Sequence, residues 1–233
     1  MSDYAIVSVD NSSPIRAITG STAMSLKCMH KYEQITTYII HTRQAMPTIP
    51  HFGDHQLTVK IDEDPGGELR MDIEDAIFRT LGNHPRIIKY HGKSDDITGG
   101  LILDTAPNGD VQHYLYDHSD TPLRIRVKWG LQTAEGIVYL HSKHVIWADC
   151  TPSNLLLTSD LDILLCDFGG SSISGLRPTV CAGAAYSLPR LEWSADANMD
   201  IFSFGSMLFE ILTLRPPYAG LTGELNIILL FGI

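Results

Sequence analysis

Short β-prone runs alternate with turn-forming residues in the first half of this 233-residue chain. Runs of branched and aromatic residues bounded by Gly, Pro, Asn and Asp are typical of strands. They predict strands over residues 36–40, 56–61, 86–90 and 100–103. One helix, over about residues 71–81, interrupts them, and Gly82 followed by Pro85 ends it.

The second half of the chain has the longer period that is typical of helices. Apolar residues recur there at near-helical spacing and predict an amphipathic helix that ends near His141. The apolar positions of this helix are Leu123, Val127, Leu131, Ala134 and Val138. Two short strands, over residues 154–157 and 163–166, are predicted to follow.

Residues 200–212 are apolar on nearly every side, which is typical of a helix inside a lobe. The chain thus has a β-rich part followed by an α-rich part, and the two join near residues 105–109. This order predicts two lobes with a cleft between them.

Composition agrees with a globular protein, with 44% hydrophobic and 19% charged residues. The formal net charge of −10 provides no overall positive field to attract nucleic acid or an anionic membrane, so neither is expected as a partner. No apolar run has the length of a membrane span and the N-terminus does not resemble a signal peptide, which predicts a soluble intracellular protein of the cytoplasm. The four cysteines lack paired spacing, and the ten histidines are scattered, which favours neither disulfides nor a zinc site.

Carboxylate and amide side chains occur together in two short stretches, residues 145–154 and 165–169. The first contains Asp149 and Asn154, and the second contains Asp167. Oxygen ligands of this kind suit Mg²⁺. Phosphoryl transfer needs metal-held phosphates, a placed hydroxyl group and a carboxylate that accepts its proton. The two stretches therefore carry the residue types that phosphoryl transfer requires.

The same stretches resemble two motifs of the protein kinase family. Trp147-Ala148-Asp149 with Asn154 resembles the catalytic loop H-R-D-x-x-x-x-N, and Asp167 begins a D-F-G match. A lone D-F-G is more often an ordinary turn, but here the catalytic loop lies one hairpin upstream. The resemblance implies that Asp149 is the catalytic base and that Asn154 and Asp167 are magnesium ligands.

Further motifs follow in the family's order. Residues 200–205 resemble the D-x-W-S-F-G that opens the central helix, whose aspartate, here Asp200, is expected to bind the backbone of the catalytic loop. Residues 215–218 resemble the R-x-P-[FY] that follows this helix, and residues 102–110 resemble the hinge between the lobes. The resemblance implies that the nucleotide meets Gly20, Lys60, Asp104, Ala106, Asp110 and Leu156.

A lysine–glutamate pair is expected in the N-terminal lobe. Residues 74–85 resemble its single helix, with Glu74 as the ion-pair glutamate, and residues 57–60 resemble V-A-I-K, with Lys60 as its partner. Both residues are assigned to the catalytic site by the resemblance. Lys27 is a rival for the lysine, and a solvent-exposed role remains the alternative for each of these side chains.

The chain departs from the family pattern at several positions. Residues 18–23 offer one glycine, Gly20, where the family has G-x-G-x-x-G. Trp147 and Ala148 replace the histidine and arginine of H-R-D, and Thr151 stands where many serine/threonine kinases carry a lysine. Leu-Pro-Arg at residues 188–190 replaces A-P-E.

The segment that follows Asp167 contains several hydroxyl groups that are candidate phosphate acceptors, although an ordinary polar loop is the favoured interpretation of residues 171–174. The candidates are Ser171, Ser172, Ser174 and Thr179. Because Ala148 has no charge with which to bind a phosphate, activity is expected to change little on treatment with a phosphatase.

The predicted fold is the α+β, two-lobed protein-kinase-like fold, as a single domain over residues 1–233. Its β-rich N-lobe with the hinge covers about residues 15–106, and its mainly helical C-lobe, residues 107–233, is expected to lack its last helices. The implied function is that of a protein kinase, with ATP and Mg²⁺ as cofactors, that transfers the γ-phosphate to hydroxyl groups of a protein substrate, most like a serine/threonine kinase. Two alternatives stay open: a pseudokinase that acts as a nucleotide-sensitive binding module, and an inert truncated fragment.

Overall fold

The computed structural model describes residues 6–8, 16–18, 37–38, 57–60, 67–94, 100–173, 182–188 and 195–219. The chain divides into two compact units. Unit 1 comprises Met1–Asp75 and Lys89–Thr105, and unit 2 comprises Ala76–Ile88 and Ala106–Ile233. None of the helices in the described ranges combines the length and the apolar character that crossing a membrane requires.

Unit 1 is rich in antiparallel strands. Strands β1 (Ile6–Ser8) and β2 (Arg16–Ile18) pair with each other. A four-stranded sheet has the order β3-β4-β6-β5. Its strands are β3 (Thr37–Tyr38), β4 (Leu57–Lys60), β5 (Tyr90–Lys93) and β6 (Leu101–Asp104). Leu57 and Val59 of β4 and the first three residues of β6 are buried and give this sheet its apolar core.

Helix α1 (Gly67–Leu81) crosses the division between the units, which falls after Asp75. The helix begins four residues before its predicted start and ends where the sequence predicts. Gly82 has φ 60°, and its N–H donates to the carbonyl of Phe78 at 2.9 Å. A glycine ends the helix here because the left-handed conformation has no Cβ penalty.

The strand predicted over residues 86–90 is wrong, because β5 begins only at Tyr90. Ile87 and Ile88 are nevertheless buried, as an apolar run suggests. Their partner is a strand in unit 2: the N–H of Ile88 donates to the carbonyl of Leu165 at 3.0 Å. The apolar pattern therefore identified burial correctly but assigned it to the wrong regular element.

Unit 2 is mainly helical. Its helices are α2 (Val111–Asp117), α3 (Leu123–Ser142) and α4 (Ala197–Thr213). Two antiparallel strand pairs accompany them: β7 (Val145–Ile146) with β10 (Ser172–Ile173), and β8 (Leu155–Leu157) with β9 (Ile163–Leu165). A strand-rich unit 1 and a mainly helical unit 2 confirm the α+β class.

The helix predicted to end near His141 is confirmed as α3. The face that carries its predicted apolar residues, however, is the exposed face and not the buried one. Leu131 and Val138 are 70% and 69% exposed, and Leu123 and Val127 are also exposed. The buried face instead carries Trp129, Gly130, Gln132, Thr133, Gly136, Ile137 and Leu140.

Small residues decide which face of α3 packs. A Cβ on Gly136 would lie 2.7 Å from Cδ1 of Leu165, and one on Gly130 would lie 2.6 Å from Cδ1 of Leu208. Neighbouring side chains therefore approach the helix backbone closely along the glycine face. We call the exposed set Leu123, Val127, Leu131 and Val138 the outer row of α3.

Helix α4 begins three residues before the predicted start because Asp196 caps it. The Asp196 carboxylate accepts from the N–H of Asn198 at 2.9 Å. The prediction that this helix lies inside a lobe holds for one face only, since Ile201 and Phe209 are at least half exposed in the described structure. Arg126 of α3 donates from Nη1 to the carbonyls of Ile211 and Leu212 at the C-terminal end of α4.

Candidate active site

A single buried carboxylate holds the first part of the catalytic loop. Asp200 at the start of α4 is fully buried, and its two oxygens accept from the backbone N–H groups of Trp147 and Ala148, each at 2.8 Å. The Asp200 oxygen Oδ2 also lies 2.8 Å from Nε2 of His141. The expectation that Asp200 binds the backbone of the loop is confirmed. Ala148 has φ 68°, a conformation that costs a non-glycine residue energy and that these bonds stabilise.

The next part of the loop joins Asp149 to Asn154. The Asn154 amide nitrogen donates to the backbone carbonyl of Asp149 at 2.8 Å and to its carboxylate oxygen Oδ2 at 2.9 Å. Because both partners can only accept, the orientation of the amide group is determined. Asn154 is buried, and its oxygen Oδ1 receives no hydrogen bond from the described part of the chain. A buried acceptor of this kind suits a hard cation such as Mg²⁺.

Asp167 follows strand β9 and is linked to the loop through its neighbour. The N–H of Cys166 donates to the backbone carbonyl of Asn154 at 3.1 Å. Asp167 has φ 57°, and Phe168 beside it is fully buried, with its ring 5.3 Å from that of Phe78 in an edge-on contact. Through the hydrogen bond from Cys166, the segment that carries Asp167 lies against the segment that carries Asn154, and both belong to unit 2. Their role as metal ligands stays a prediction.

In unit 1 the structure contains the expected ion pair. The Lys60 ammonium donates to Oε2 of Glu74 at 2.7 Å, and the two side chains are 10% and 1% exposed. Lys27, the rival lysine, and Gly20, the predicted glycine of the phosphate loop, both lie outside the described residues.

Two predicted nucleotide contacts lie in the last part of the hinge and in strand β8. Asp110 and Leu156 form an antiparallel bridge, and the N–H of Leu157 donates to the carbonyl of Gly109 at 2.8 Å. The Asp110 carboxylate also caps α2, since it accepts from the N–H of His113 at 2.9 Å. Helix α2 has no counterpart in the sequence predictions, although an aspartate at this position is a common helix start.

The hinge residues Asp104 and Ala106 differ in how their backbone groups are used. In unit 1, the N–H of Asp104 donates to the carbonyl of Lys89 at 2.9 Å, and its carboxylate lies 2.6 Å from Nε2 of His91. In unit 2, the carbonyl of Ala106 accepts from Gly109 at 3.1 Å, while its N–H makes no hydrogen bond to the described residues. An amide donor without a protein partner is what an adenine acceptor atom would require.

Three groups in unit 2 have environments that the sequence did not reveal. His141 binds Asp200 from the end of α3. Burial, together with the nearby carboxylates of Asp200 and Asp149, raises the pKa of the Cys150 thiol well above its usual value, so this thiol stays neutral. In helix α4, burial raises the pKa of Glu210, which accepts a hydrogen bond from the Tyr186 hydroxyl. No sequence spacing distinguishes these residues from ordinary core residues.

Comparison with known proteins identifies one family. The family model described as "Protein kinase domain" matches residues 58–229. Serine/threonine-protein kinase ATG1b of Arabidopsis thaliana is 32% identical over 185 residues, which cover 71% of this chain and 25% of that protein. Aurora kinase A-A of Xenopus laevis is 32% identical over 161 residues, covering 65% and 38%. Aurora kinase of Schizosaccharomyces pombe is 32% identical over 162 residues, covering 67% and 45%. The chain therefore spans less than half the length of each of these relatives.

Proposed function

Because the chain belongs to the protein kinase family, we propose that it transfers the γ-phosphate of ATP to a serine or threonine hydroxyl group of a protein substrate. The observation that carries this proposal is the Asp149–Asn154 arrangement, in which one amide group is fixed by a carboxylate and leaves a buried oxygen for a cation. The name of the relative ATG1b supports serine or threonine as the acceptor. A location in the cytoplasm stays a prediction.

Asp149 is the general base of the proposed reaction. The hydrogen bond from Asn154 to Oδ2 sets the plane of the carboxylate, so the side chain does not have to be ordered when substrate arrives. In this position the carboxylate accepts the proton of the attacking hydroxyl group.

Asn154 and Asp167 are the proposed ligands of Mg²⁺. The metal ion supplies charge neutralisation at the phosphate oxygens. Lys60, held by Glu74, contributes an ammonium group to the phosphates, and the N–H of Ala106 donates to adenine. Asp104, Asp110, Leu156 and Gly20 complete the nucleotide contacts that the family resemblance implies.

One observation favours a second candidate, a pseudokinase that binds nucleotide without transferring phosphate. Thr151 stands where the family often has a lysine, and its hydroxyl lies 2.9 Å from the hydroxyl of Ser153. Neither group brings a positive charge to the transferred phosphate. If other cations do not compensate, transfer is slow even when nucleotide binds.

The substitution Asp149→Asn tests the proposed base. It is expected to leave ATP affinity nearly unchanged and to lower turnover by about 10²–10⁴-fold, as removal of a positioned base does. Asp160→Asn, in an exposed turn, is the matched control and should leave both quantities unchanged. Equal losses of affinity and turnover in Asp149→Asn would assign Asp149 a structural role instead.

The unaltered protein separates the alternatives. A protein kinase shows phosphate transfer and an ATP-induced rise in melting temperature that is larger with Mg²⁺ than with EDTA. A pseudokinase shows the melting shift alone, and an inert fragment shows neither. Asp167→Asn is expected to remove the magnesium-dependent part of the shift.

A further inference from the structure

The outer row of α3 is an apolar stripe on a helix whose opposite face is already packed in the core of unit 2. Its four side chains are all exposed, by 42% to 70%. From Leu123 to Val138 the stripe spans most of the helix, about 22 Å at a rise of 1.5 Å per residue. An exposed apolar surface of this kind marks a place where another protein segment binds.

The spacing of this stripe is that of a helix that pairs with another helix. Val127, Leu131, Ala134 and Val138 are separated by steps of four, three and four residues. This is the alternation of a heptad seam, in which the apolar side chains of two helices interlock along one line. The partner that the spacing fits is therefore a helix with an apolar stripe of similar length.

The stripe is complementary in size to a reversed copy of itself. In an antiparallel pair of α3 helices whose twofold axis lies between Leu131 and Ala134, each Leu131 faces the small side chain of Ala134 in the second copy. In the same pair, Val127 of each copy faces Val138 of the other. Large side chains against small ones fill a helix interface. A parallel pair would place alanine against alanine and leave a gap at that layer.

The charged residues beside the stripe favour the same orientation. Lys128 and Glu135 lie on one flank, and each forms an ion pair within its own chain, Lys128 with Asp162 at 2.6 Å and Glu135 with Arg86 at 2.8 Å. Antiparallel pairing places Lys128 beside Glu135 of the second copy, so the two ion pairs join into a network of alternating charge. Parallel pairing would place lysine beside lysine and glutamate beside glutamate, which is unfavourable.

We propose that the outer row of α3 is a homodimer interface, in which the α3 helices of two copies of this chain pack antiparallel about a twofold axis. Both copies use the same residues in such an interface, so one stripe per chain is enough to form it. A single helix pair buries less than the roughly 800 Å² per partner of a standard interface. The expected dimer is therefore reversible, with a dissociation constant in the micromolar range. None of the outer-row residues belongs to the candidate active site, so the interface is independent of the proposed function.

Sedimentation of the unaltered protein at a series of micromolar concentrations measures the association. The mass is expected to rise from that of one chain to that of two as the concentration increases. Leu131→Asp puts a charge in the middle of the row and should raise the dissociation constant by about thirtyfold or more, as loss of a central interface residue does. Leu69→Asp is the matched control, because Leu69 of α1 is 60% exposed and lies outside the row. It should leave the dissociation constant unchanged.

Cross-linking decides the orientation of the two helices. Proteins that carry Val127→Cys or Val138→Cys are oxidised separately and as a mixture, and the unaltered protein is the control for the native cysteines. We expect a covalent dimer in the mixture and not in either protein alone, because antiparallel pairing brings residue 127 against residue 138 of the other copy. Covalent dimers in each protein alone would show parallel pairing and overturn the proposed arrangement.

Two results of the sedimentation experiment would also overturn the proposal. One is a dimer that Leu131→Asp leaves intact, which would place the interface elsewhere on the chain. The other is the mass of one chain at every concentration. In that case a large fall in the melting temperature of Leu131→Asp would point to the apolar residues 226–233 of the same chain as the cover of the row. An unchanged melting temperature would point to a partner of another kind.

A second variant keeps the test decisive if Leu131→Asp does not fold. Val138→Lys places a charge near the end of the row, where the side chain is 69% exposed. It should raise the dissociation constant by a smaller factor than Leu131→Asp. A dissociation constant equal to that of Leu69→Asp would count against the proposed interface.

Discussion

The two units each contain a buried carboxylate that binds a functional segment, but the partners differ in kind. Glu74 in unit 1 meets a side chain, the ammonium group of Lys60. Asp200 in unit 2 meets two backbone N–H groups, those of Trp147 and Ala148, as well as His141. A side-chain partner can be removed by substitution together with its carboxylate, whereas backbone N–H groups are present whatever residue stands there. The catalytic loop therefore depends on Asp200 more strictly than the fold of unit 1 depends on its ion pair.

The largest expected effect follows from removing Asp200. Asp200→Ala leaves two buried N–H groups without an acceptor, at about 1.5–3 kcal/mol each, so we expect a loss of roughly 3–6 kcal/mol in the free energy of unfolding. Urea denaturation measures this loss. No apolar substitution nearby should restore the stability. A loss of less than about 1 kcal/mol in the free energy of unfolding would mean that water or another acceptor binds the two N–H groups in place of the carboxylate.

The ion pair should behave differently when both partners are replaced. Lys60→Met alone leaves Glu74 buried without its cation and is expected to cost about 3 kcal/mol in the free energy of unfolding. The double substitution Lys60→Met with Glu74→Leu should recover most of this stability, although the proposed nucleotide site would lose its ammonium group. If the double variant were as unstable as the single one, the two carboxylates would not differ in the way described above.

A smaller effect tests the strain that Asp200 holds in the catalytic loop. Ala148 has φ 68°, a conformation that glycine adopts without strain. Ala148→Gly relieves this strain but also adds entropy to the unfolded chain, which offsets part of the gain. The net result should be a rise of about 0.5–1 kcal/mol in the free energy of unfolding. Ala134→Gly, in the middle of α3, should instead lower it by about 1 kcal/mol. The two glycine substitutions thus have opposite expected signs in thermal or urea denaturation.

The smallest effect concerns Asp162, a carboxylate that meets side chains at the surface of unit 2. Hydrogen bonds from Lys128 and Gln132 lower the pKa of Asp162 below its usual value. A lowered folded-state pKa contributes stability above the unfolded-state pKa, and this stability is lost as the pH falls through the folded-state pKa. Asp162→Asn is therefore expected to cost a few tenths of a kcal/mol near neutral pH, with the difference narrowing in acid. A difference that grew as the pH fell would contradict this assignment.

The residues of the site were predictable where chemistry requires a residue type at a fixed spacing. Lys60 and Glu74 form the ion pair that their motifs suggest. Asp149 and Asn154 were predicted as a base and a metal ligand, and these roles stay predictions, while the hydrogen bond between them was not predicted. The predicted face of α3 was wrong because spacing records only apolar character. The packing of that helix is decided by Gly136 and its close contact with Leu165, which a count of aliphatic positions does not register.

Loop residues were harder to predict because their environment depends on distant segments. Ser171 and Ser172 were candidate phosphate acceptors, with an ordinary polar loop as the favoured interpretation. Both are buried, and Ser172 pairs with Ile146 in the β10–β7 ladder. Neither hydroxyl group is accessible in this conformation. Ser174 and Thr179, the other expected acceptors, lie outside the described residues. Nothing local in the sequence around Ser171 indicates that its hydroxyl group donates to the carbonyl of Trp147.

The outer row of α3 has a practical consequence for anyone who handles this protein. Leu131 and Val138 expose most of their area to water, so we expect them to favour adsorption to apolar resins and to air–water surfaces. Salts that strengthen hydrophobic association will favour precipitation through such a row. Charged replacements at these two positions leave the glycine face untouched, and they offer a route to more concentrated, better-behaved samples.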